Sequence, residues 1–443
     1  MNSNHTVVTK NVPLLQLGNK TFTQKLAKKL IIKQFSKLTN GQLRVNESNT
    51  NYIFGNKSNG FPISATINVL SNQMYSEIVA KGLNGAAEAF VKEFWSSDNL
   101  TDLIRIFIRN RETANQMESG IAKLATRLFY LQHSLRRNNQ KGSLRNIAEH
   151  YDLGNDLFET FLDETKMYSC AIFESKNSSL EEASLNKINR ICQKLELSSN
   201  DHVLEIGTGW GGFAIYAAKN FGCKVTTTTI SPKQYEYTLK KVKDLGLVNK
   251  ITVIKKDYRA LTGQYDKLVS IEMIEAVGHH YYHEFFRKCN ELLVPEGRML
   301  LQSIIITDFL YEEAKQFSDF IKTYIFPGSC IPSISKICDS TAKSTDMRLF
   351  HLEDLTPHYA KTLNQWRCQF MKNTQKIRSL GFSNEFIRLW NFYFSYCEAG
   401  FIERQIGSVQ MLFTKPLCRM DSILPKINQP ENCLLYTSDA ADE

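Results

Sequence analysis

Residues Val203 to Ala218 read VLEIGTGWGGFAIYAA, and this stretch decides the fold. Apolar Val203, Leu204 and Ile206 mark a short strand, Gly207, Gly209, Gly211 and Gly212 turn the chain, and a helix begins near Phe213. Glycine is needed where backbone turns tightly and passes close to a ligand. A ligand on such a turn sits at the carboxyl end of its strand, where open α/β sheets bind small molecules. Counted from Gly207 the spacing is G-x-G-x-G-G, and Gly212 also satisfies G-x-G-x-x-G. The loop alone therefore admits S-adenosylmethionine, a dinucleotide or a bare strand-to-helix turn. The next strand ends TTTTIS and offers no Asp or Glu to ribose hydroxyls, which favours S-adenosylmethionine.

Working outward, strands alternate with helices after His150, the pattern of a doubly wound sheet. HVLEIG, KVTTTTI, ITVIKKD, KLVSIEM and MLLQSIII read as five successive strands, and MRLFHLEDL and VQMLFTKP add two near the C-terminus. This order predicts an α/β fold over 150–420, the Rossmann-like seven-stranded sheet of the class I methyltransferases. Residues 1–20 are expected to lack order. Residues 21–111 read as an N-terminal α+β domain associated with lipid or with a second copy of the chain. Within it, TFTQKLAKKLIIKQFSKL places Phe22, Leu26, Leu30 and Phe35 near helical spacing among Lys25, Lys28, Lys29 and Lys33. Such a segment suits a lipid surface or a domain helix with a solvated basic face. Residues 112–149 read as a helical, basic connector through Arg127, Arg136, Arg137, Lys141 and Arg145. The final CLLYTSDAADE, 433–443, reads like a translated sequencing adapter and is set aside from fold reasoning.

The 443 residues suit two domains, and 42% hydrophobic with 22% charged residues is the balance of an ordinary folded protein. No run approaches the roughly 20 apolar residues of a membrane span, and the start carries no secretory pattern, so a cytoplasmic location is expected. Ten scattered cysteines without a C-x-x-C pair argue against a disulfide framework and a structural metal. The formal charge is +9, or +12 once the three acids of the final segment are left out. Such a balance attracts nucleic acid or an anionic membrane face. No compact nucleic-acid motif occurs.

The segments around the glycine loop resemble the cyclopropane-fatty-acyl-phospholipid synthase family. Six motifs in order carry the likeness: HYDLGNDLFETFLDETKMYSCAIFE (150–174), VLEIGTGWGGFAIYAAKNFG, SIEMIEAVG (270–278), YIFPGSCIPS (324–333), HYAKTLNQW (358–366) and YCEAGF (396–401). The N-terminal region is similar only in size and general pattern. The resemblance implies S-adenosylmethionine as cofactor. Tyr168 and Ser169 would meet its methionine end, Glu205, Gly207, Gly209 and Gly211 would form the loop beneath it, Thr229 and Gln234 would serve the ribose, and Asp257 and Tyr258 would flank the adenine. The resemblance also implies a bicarbonate ion matched to Cys170, Glu275, Gln302, Ile304 and Tyr359, and it marks Cys397 as the cysteine sometimes termed catalytic. Cys170 and Cys397 also read as small buried apolar residues, Glu275 as a helix cap, and Tyr359 as core. Two positions depart from some members, which carry histidine where Gln302 and Ala276 stand. Glutamine donates and accepts hydrogen bonds but cannot titrate.

The expected reaction joins a one-carbon unit from S-adenosylmethionine to the double bond of an unsaturated phospholipid acyl chain. It demands alignment and exclusion of water, negative charge or aromatic faces around a cation, and a base. The partner would be an anionic bilayer met peripherally at its inner face. C-methylation to a methyl-branched chain, small-molecule N-methylation and a non-catalytic lipid-binding module are the competing readings. A nucleic-acid methyltransferase would need a tetrapeptide such as D/N-P-P-Y/F/W, which is missing.

Overall fold

The five inner strands of the C-terminal sheet have nearly every residue buried or half-buried, so each needs cover on both faces, and a sheet flanked by helices supplies it. The structure, a computed structural model, describes residues 7–9, 22–111 except 49 and 59, and 154–423. The proposed connector at 112–149 and the segment 433–443 lie outside the described residues. The small sheet combines β1 (Val7–Thr9), β2 (Gln42–Glu47), β3 (Thr50–Phe54), β4 (Ser64–Val69) and β5 (Trp95–Ser97) in the order β1-β3-β2-β4-β5. β1 falls in the stretch expected to lack order. It pairs antiparallel with β3, Val7 opposite Ile53, because an unpaired strand edge presents a row of backbone donors and acceptors.

The large sheet holds β6 (His202–Ile206), β7 (Lys224–Thr229), β8 (Ile251–Lys255), β9 (Tyr265–Ile271), β10 (Leu293–Ile306), β11 (Arg348–Asp354) and β12 (Ile406–Thr414). Their order is β11-β12-β10-β9-β6-β7-β8, parallel from β10 to β8 and antiparallel at β12 and β11. All seven strands read from the sequence are present. The threonine run of β7 suits a strand because β-branched side chains pack on a pleated surface. Its buried hydroxyls find partners, Thr227 donating to Glu205 Oε2 at 2.5 Å and Thr228 to the Lys256 carbonyl at 2.6 Å.

The N-terminal region does not keep its own core. One hydrophobic cluster runs from Ile31, Val45 and Ile106 to Phe158, Trp366, Trp390 and Phe394. The long helix Asn384–Ile402 is the seam. Thr101 donates to Glu398 at 2.9 Å, Arg105 pairs with Glu403 at 2.7 Å, Arg109 pairs with the same carboxylate, and Arg388 Nε donates to the Phe90 carbonyl at 2.9 Å. The helix Phe22–Phe35 buries Ala27, Ile31 and Phe35, while Leu26 and Leu30 are exposed beside Lys25 and Lys29. The expected apolar stripe is thus divided: the i, i+4, i+8 set packs inward, and the leucines one residue before Ala27 and Ile31 face solvent. Lys28 leaves the basic face to pair with Glu47 at 2.5 Å.

Candidate active site

β9 stops at Ile271, and the next residue, Glu272, takes a left-handed backbone with φ 49°. That conformation costs a non-glycine residue about 1–3 kcal/mol and persists where the surroundings over-determine it. They do so here. The Glu272 N–H donates to the Gln302 carbonyl at 2.8 Å. Its Oε1 accepts from the Cys170 N–H and from Gln302 Nε2, each at 2.9 Å, and its Oε2 accepts from the Tyr359 hydroxyl at 2.6 Å. β10, the loop before the helix Leu180–Lys194, and the helix Thr356–Lys372 therefore meet on one carboxylate.

Gln302 is oriented from behind. Lys194 Nζ can only donate, and it contacts Gln410 Oε1 at 2.8 Å. The Gln410 amide nitrogen then donates to Gln302 Oε1 at 3.0 Å, and Gln302 Nε2 turns to Glu272 and to the Cys170 carbonyl, 3.2 Å away. Burial pushes the Glu272 carboxyl up, while donation from Tyr359, Gln302 and the Cys170 N–H and the Lys187 charge act the other way. Lys187 is fully buried and donates to Ser169 Oγ at 2.8 Å, and desolvation lowers it to about 8.

Glu275 sits in the short 3₁₀ turn Ile274–Ala276. Its Oε1 accepts from the Ile304 N–H at 2.5 Å and the Ser303 hydroxyl at 3.0 Å, and its Oε2 is buried with no partner among the described residues. Burial, then the neighbouring Glu272 charge, push this carboxyl up to about 8, so it holds a proton at neutral pH.

Two cavities meet at this point. A small one of about 140 Å³ lies at the carboxyl ends of β6 and β7, against Tyr168, Ser169, Glu205, Gly207, Gly209, Thr229, Gln234, Asp257 and Tyr258. A larger one of about 570 Å³ is lined mainly by apolar and aromatic groups, among them Ile304, Phe320, Phe326, Tyr359, Tyr393, Cys397 and Phe401. Tyr168, Glu272 and Ala276 line both. The larger cavity has an aromatic wall: the Tyr168 hydroxyl meets that of Tyr393 at 2.8 Å, and Tyr359 stacks on Phe401 with centroids 4.3 Å apart.

Nine of the ten expected cofactor residues thus line the small cavity. Gly211 does not. It caps the helix Gly212–Asn220 at φ 83°, and a Cβ there would stand 2.8 Å from Thr238, so it allows two helices to pack closely. Thr229 and Gln234 are bonded to each other at 2.8 Å, and Asp257 is gripped by Arg259 at 2.8 and 2.6 Å. Gly209 has φ 52°, and a Cβ on it would meet no atom within 4 Å, so bare backbone faces the cavity. This cradle fits S-adenosylmethionine, with Tyr168 shared with the larger cavity.

The bicarbonate set fits less well. Of the residues assigned to that ion, only Glu275 keeps an oxygen with no partner among the described residues, whereas the Cys170 N–H, Gln302 and Tyr359 are already engaged on Glu272 and the Ile304 N–H on Glu275. Cys170 lies behind the site and reaches it only through its backbone, and Cys397 is a wall of the larger cavity. Burial raises both thiols, so neither is a thiolate nucleophile. Glu272, Lys187 and Tyr393 escaped the sequence reading. Glu272 alone had a signal there, a carboxylate at the carboxyl end of a central strand.

The fold and this site define a class I S-adenosylmethionine-dependent methyltransferase. A family model described as mycolic acid cyclopropane synthetase matches residues 138–411, and the chain belongs to that family. It is 36% identical to the tuberculostearic acid methyltransferase of Mycobacterium tuberculosis, over 72% of this chain and 76% of that one. It is 32% identical to the cyclopropane-fatty-acyl-phospholipid synthase of Escherichia coli K12, over 79% of this chain and 88% of that one. Among solved structures, a mycolic acid cyclopropane synthase complexed with SAH and CTAB superposes with a TM-score of 0.58 at 30% identity, covering 61% of this chain and 98% of that one. Coclaurine N-methyltransferase shares the fold, with a TM-score of 0.57 at 17% identity.

Proposed function

We propose that the protein transfers the methyl carbon of S-adenosylmethionine to the cis double bond of an unsaturated phospholipid acyl chain and closes a cyclopropane ring. The observation that carries this reading is the large apolar cavity opening onto the cofactor cradle at Tyr168 and Glu272. Bound S-adenosylmethionine supplies an electrophilic sulfonium methyl. The chain's own residues supply what an unactivated alkene lacks. The apolar walls exclude water and hold the double bond in line. Tyr168, Tyr359 and Tyr393 line the cavity and supply aromatic groups to the positive charge that develops on the chain. A small amine would leave most of this cavity unfilled, which speaks against N-methylation. A methyl-branched product is the second reading. It is favoured by the likeness to the tuberculostearic acid methyltransferase and by Gln302 and Ala276 in place of histidines.

The test is product analysis. Incubated with unsaturated phospholipid vesicles and methyl-labelled S-adenosylmethionine, the protein should yield acyl chains heavier by one CH₂, with no remaining double bond if the ring closes. Label confined to small amines or nucleic acid would refute the reading.

Access to a chain held in a bilayer implies peripheral docking. Leu83 and Phe317 are 43% exposed and line the larger cavity, and Phe309 on the helix Asp308–Gln316 is 79% exposed. Lys25, Lys29 and Lys33 add exposed positive charge near Leu26 and Leu30, each worth about 1 kcal/mol at an anionic surface. Vesicle sedimentation should show binding to anionic liposomes that weakens as salt rises. Equal affinity for neutral liposomes at high salt would remove the electrostatic part of this docking.

A further inference from the structure

We propose that the Glu272 carboxylate stands in the place of a bound bicarbonate and is itself the base of the ring-closing step. The proposal rests on the acyl-chain reading above and deepens it.

Three observations converge. The first is saturation of the donors. A tyrosine hydroxyl has one hydrogen and a glutamine amide two. Tyr359 gives its hydrogen to Glu272, and Gln302 gives its two to Glu272 and the Cys170 carbonyl. With the Cys170 N–H also on Glu272, an anion could take these three donors only by displacing the carboxylate already there. The second is placement. Glu272 lines both cavities, at the junction where the methyl carbon must pass from cofactor to chain. The third is the backbone. A residue at φ 49° is one that glycine would fill without strain, so the side chain is retained against a local cost.

The step balances without a further reactant. The alkene π pair forms a bond to the methyl carbon as the carbon–sulfur pair returns to sulfur, leaving a thioether and a cation on the chain. Glu272 then takes one proton from the transferred carbon, and the pair of that C–H bond closes the three-membered ring. The product is a neutral cyclopropane and a protonated Glu272, which returns its proton to solvent after release. Tyr359 and Gln302 hold the carboxylate by donation throughout. Glu275 lines only the larger cavity and is not at the junction.

The experiment pairs a binding measurement with kinetics on the full chain. Carbon-13 bicarbonate is titrated by NMR into the wild type and into Glu272→Gly, which removes the carboxylate at a position whose backbone suits glycine. The wild type should show no saturable binding, and the glycine variant should acquire it. Saturable binding to the wild type, or none to the variant, overturns the proposal. In turnover with unsaturated phospholipid, the wild-type rate should change by less than about twofold between carbonate-free and bicarbonate buffer. Glu272→Gln, nearly isosteric, should lose about 10²–10⁴-fold in kcat while its SAH affinity and melting temperature stay close to wild type. Glu272→Gly should recover at least about tenfold on adding bicarbonate, as a restored base of this kind allows. A wild type that needs bicarbonate, or a Glu272→Gln enzyme of near-normal rate, also overturns the assignment. A wild type inert on every unsaturated phospholipid sinks the acyl-chain reading alone, because the bicarbonate titration still decides what occupies the site.

Discussion

Gly209→Leu should abolish cofactor binding while leaving the fold standing. Gly209 lines the small cavity, and a Cβ there has no protein atom within 4 Å, so the added side chain meets open space where a ligand would lie. Its φ of 52° lies in the small left-handed region, which costs an ordinary residue on the order of 1–2 kcal/mol. That cost is modest against the loss of a ligand-sized volume. Isothermal titration with SAH should show affinity weakened by at least about 100-fold, equivalent to roughly 2.7 kcal/mol. The melting temperature without ligand should fall by only a few degrees. Gly211→Ala is the contrasting variant. Its Cβ would stand 2.8 Å from Thr238, so it should lower the melting temperature while changing SAH affinity much less. Equal loss of binding in both variants would show that the loop, rather than bare backbone at Gly209, decides recognition.

The second large effect is on stability against pH. Burial pushes the Glu275 and Glu205 carboxyls up to about 8, from an ordinary value of about 4.5. Below about pH 4.5 both states of the chain hold these protons. Between 4.5 and 8 the unfolded chain has released them and the folded chain has not, so unfolding releases protons and stability falls as pH rises. Above about 8 the slope from these two groups vanishes. Lys187, lowered to about 8, acts in the next window: from 8 toward 10.5 the unfolded chain holds the extra proton, and stability rises with pH. The contribution of these three groups is therefore least favourable near pH 8. Glu275→Gln keeps an acceptor for the Ile304 N–H and removes the charge, so it should flatten the 4.5-to-8 limb. At pH 8 it should be more stable than wild type by about 2–4 kcal/mol, with the difference vanishing near pH 4. Chemical denaturation at pH 4, 6 and 8 measures this. A difference independent of pH would show that Glu275 is not held protonated by its burial.

How legible each feature was follows from the range of the interactions behind it. The glycine loop and the seven strands were readable because each depends on residues within a few positions. Glycines permit the turn at Gly207 and Gly209, and apolar or β-branched runs such as 224–229 require a buried strand. The helix Phe22–Phe35 was harder. Periodicity located it but chose a stripe containing Leu26 and Leu30, because packing against the rest of the cluster decides which apolar face is buried. The shared core had no local signal. It forms because Phe90 packs on Phe392 and the helix Leu100–Arg109 packs on the helix Asn384–Ile402, almost three hundred residues later in the chain.

By itself the sequence determined the α/β sheet, the cradle at its first βα turn and most of the residues around it, since these follow from local spacing and backbone freedom. Tertiary structure alone decided which glutamate of SIEMIEAVG is held by three donors. Glu272 gains its donors from positions 30, 87 and 102 residues away. Only when β10, the helix Thr356–Lys372 and the Cys170 loop are brought together does burial give that carboxylate a fixed orientation, whereas Glu275, three residues along, is left holding a proton.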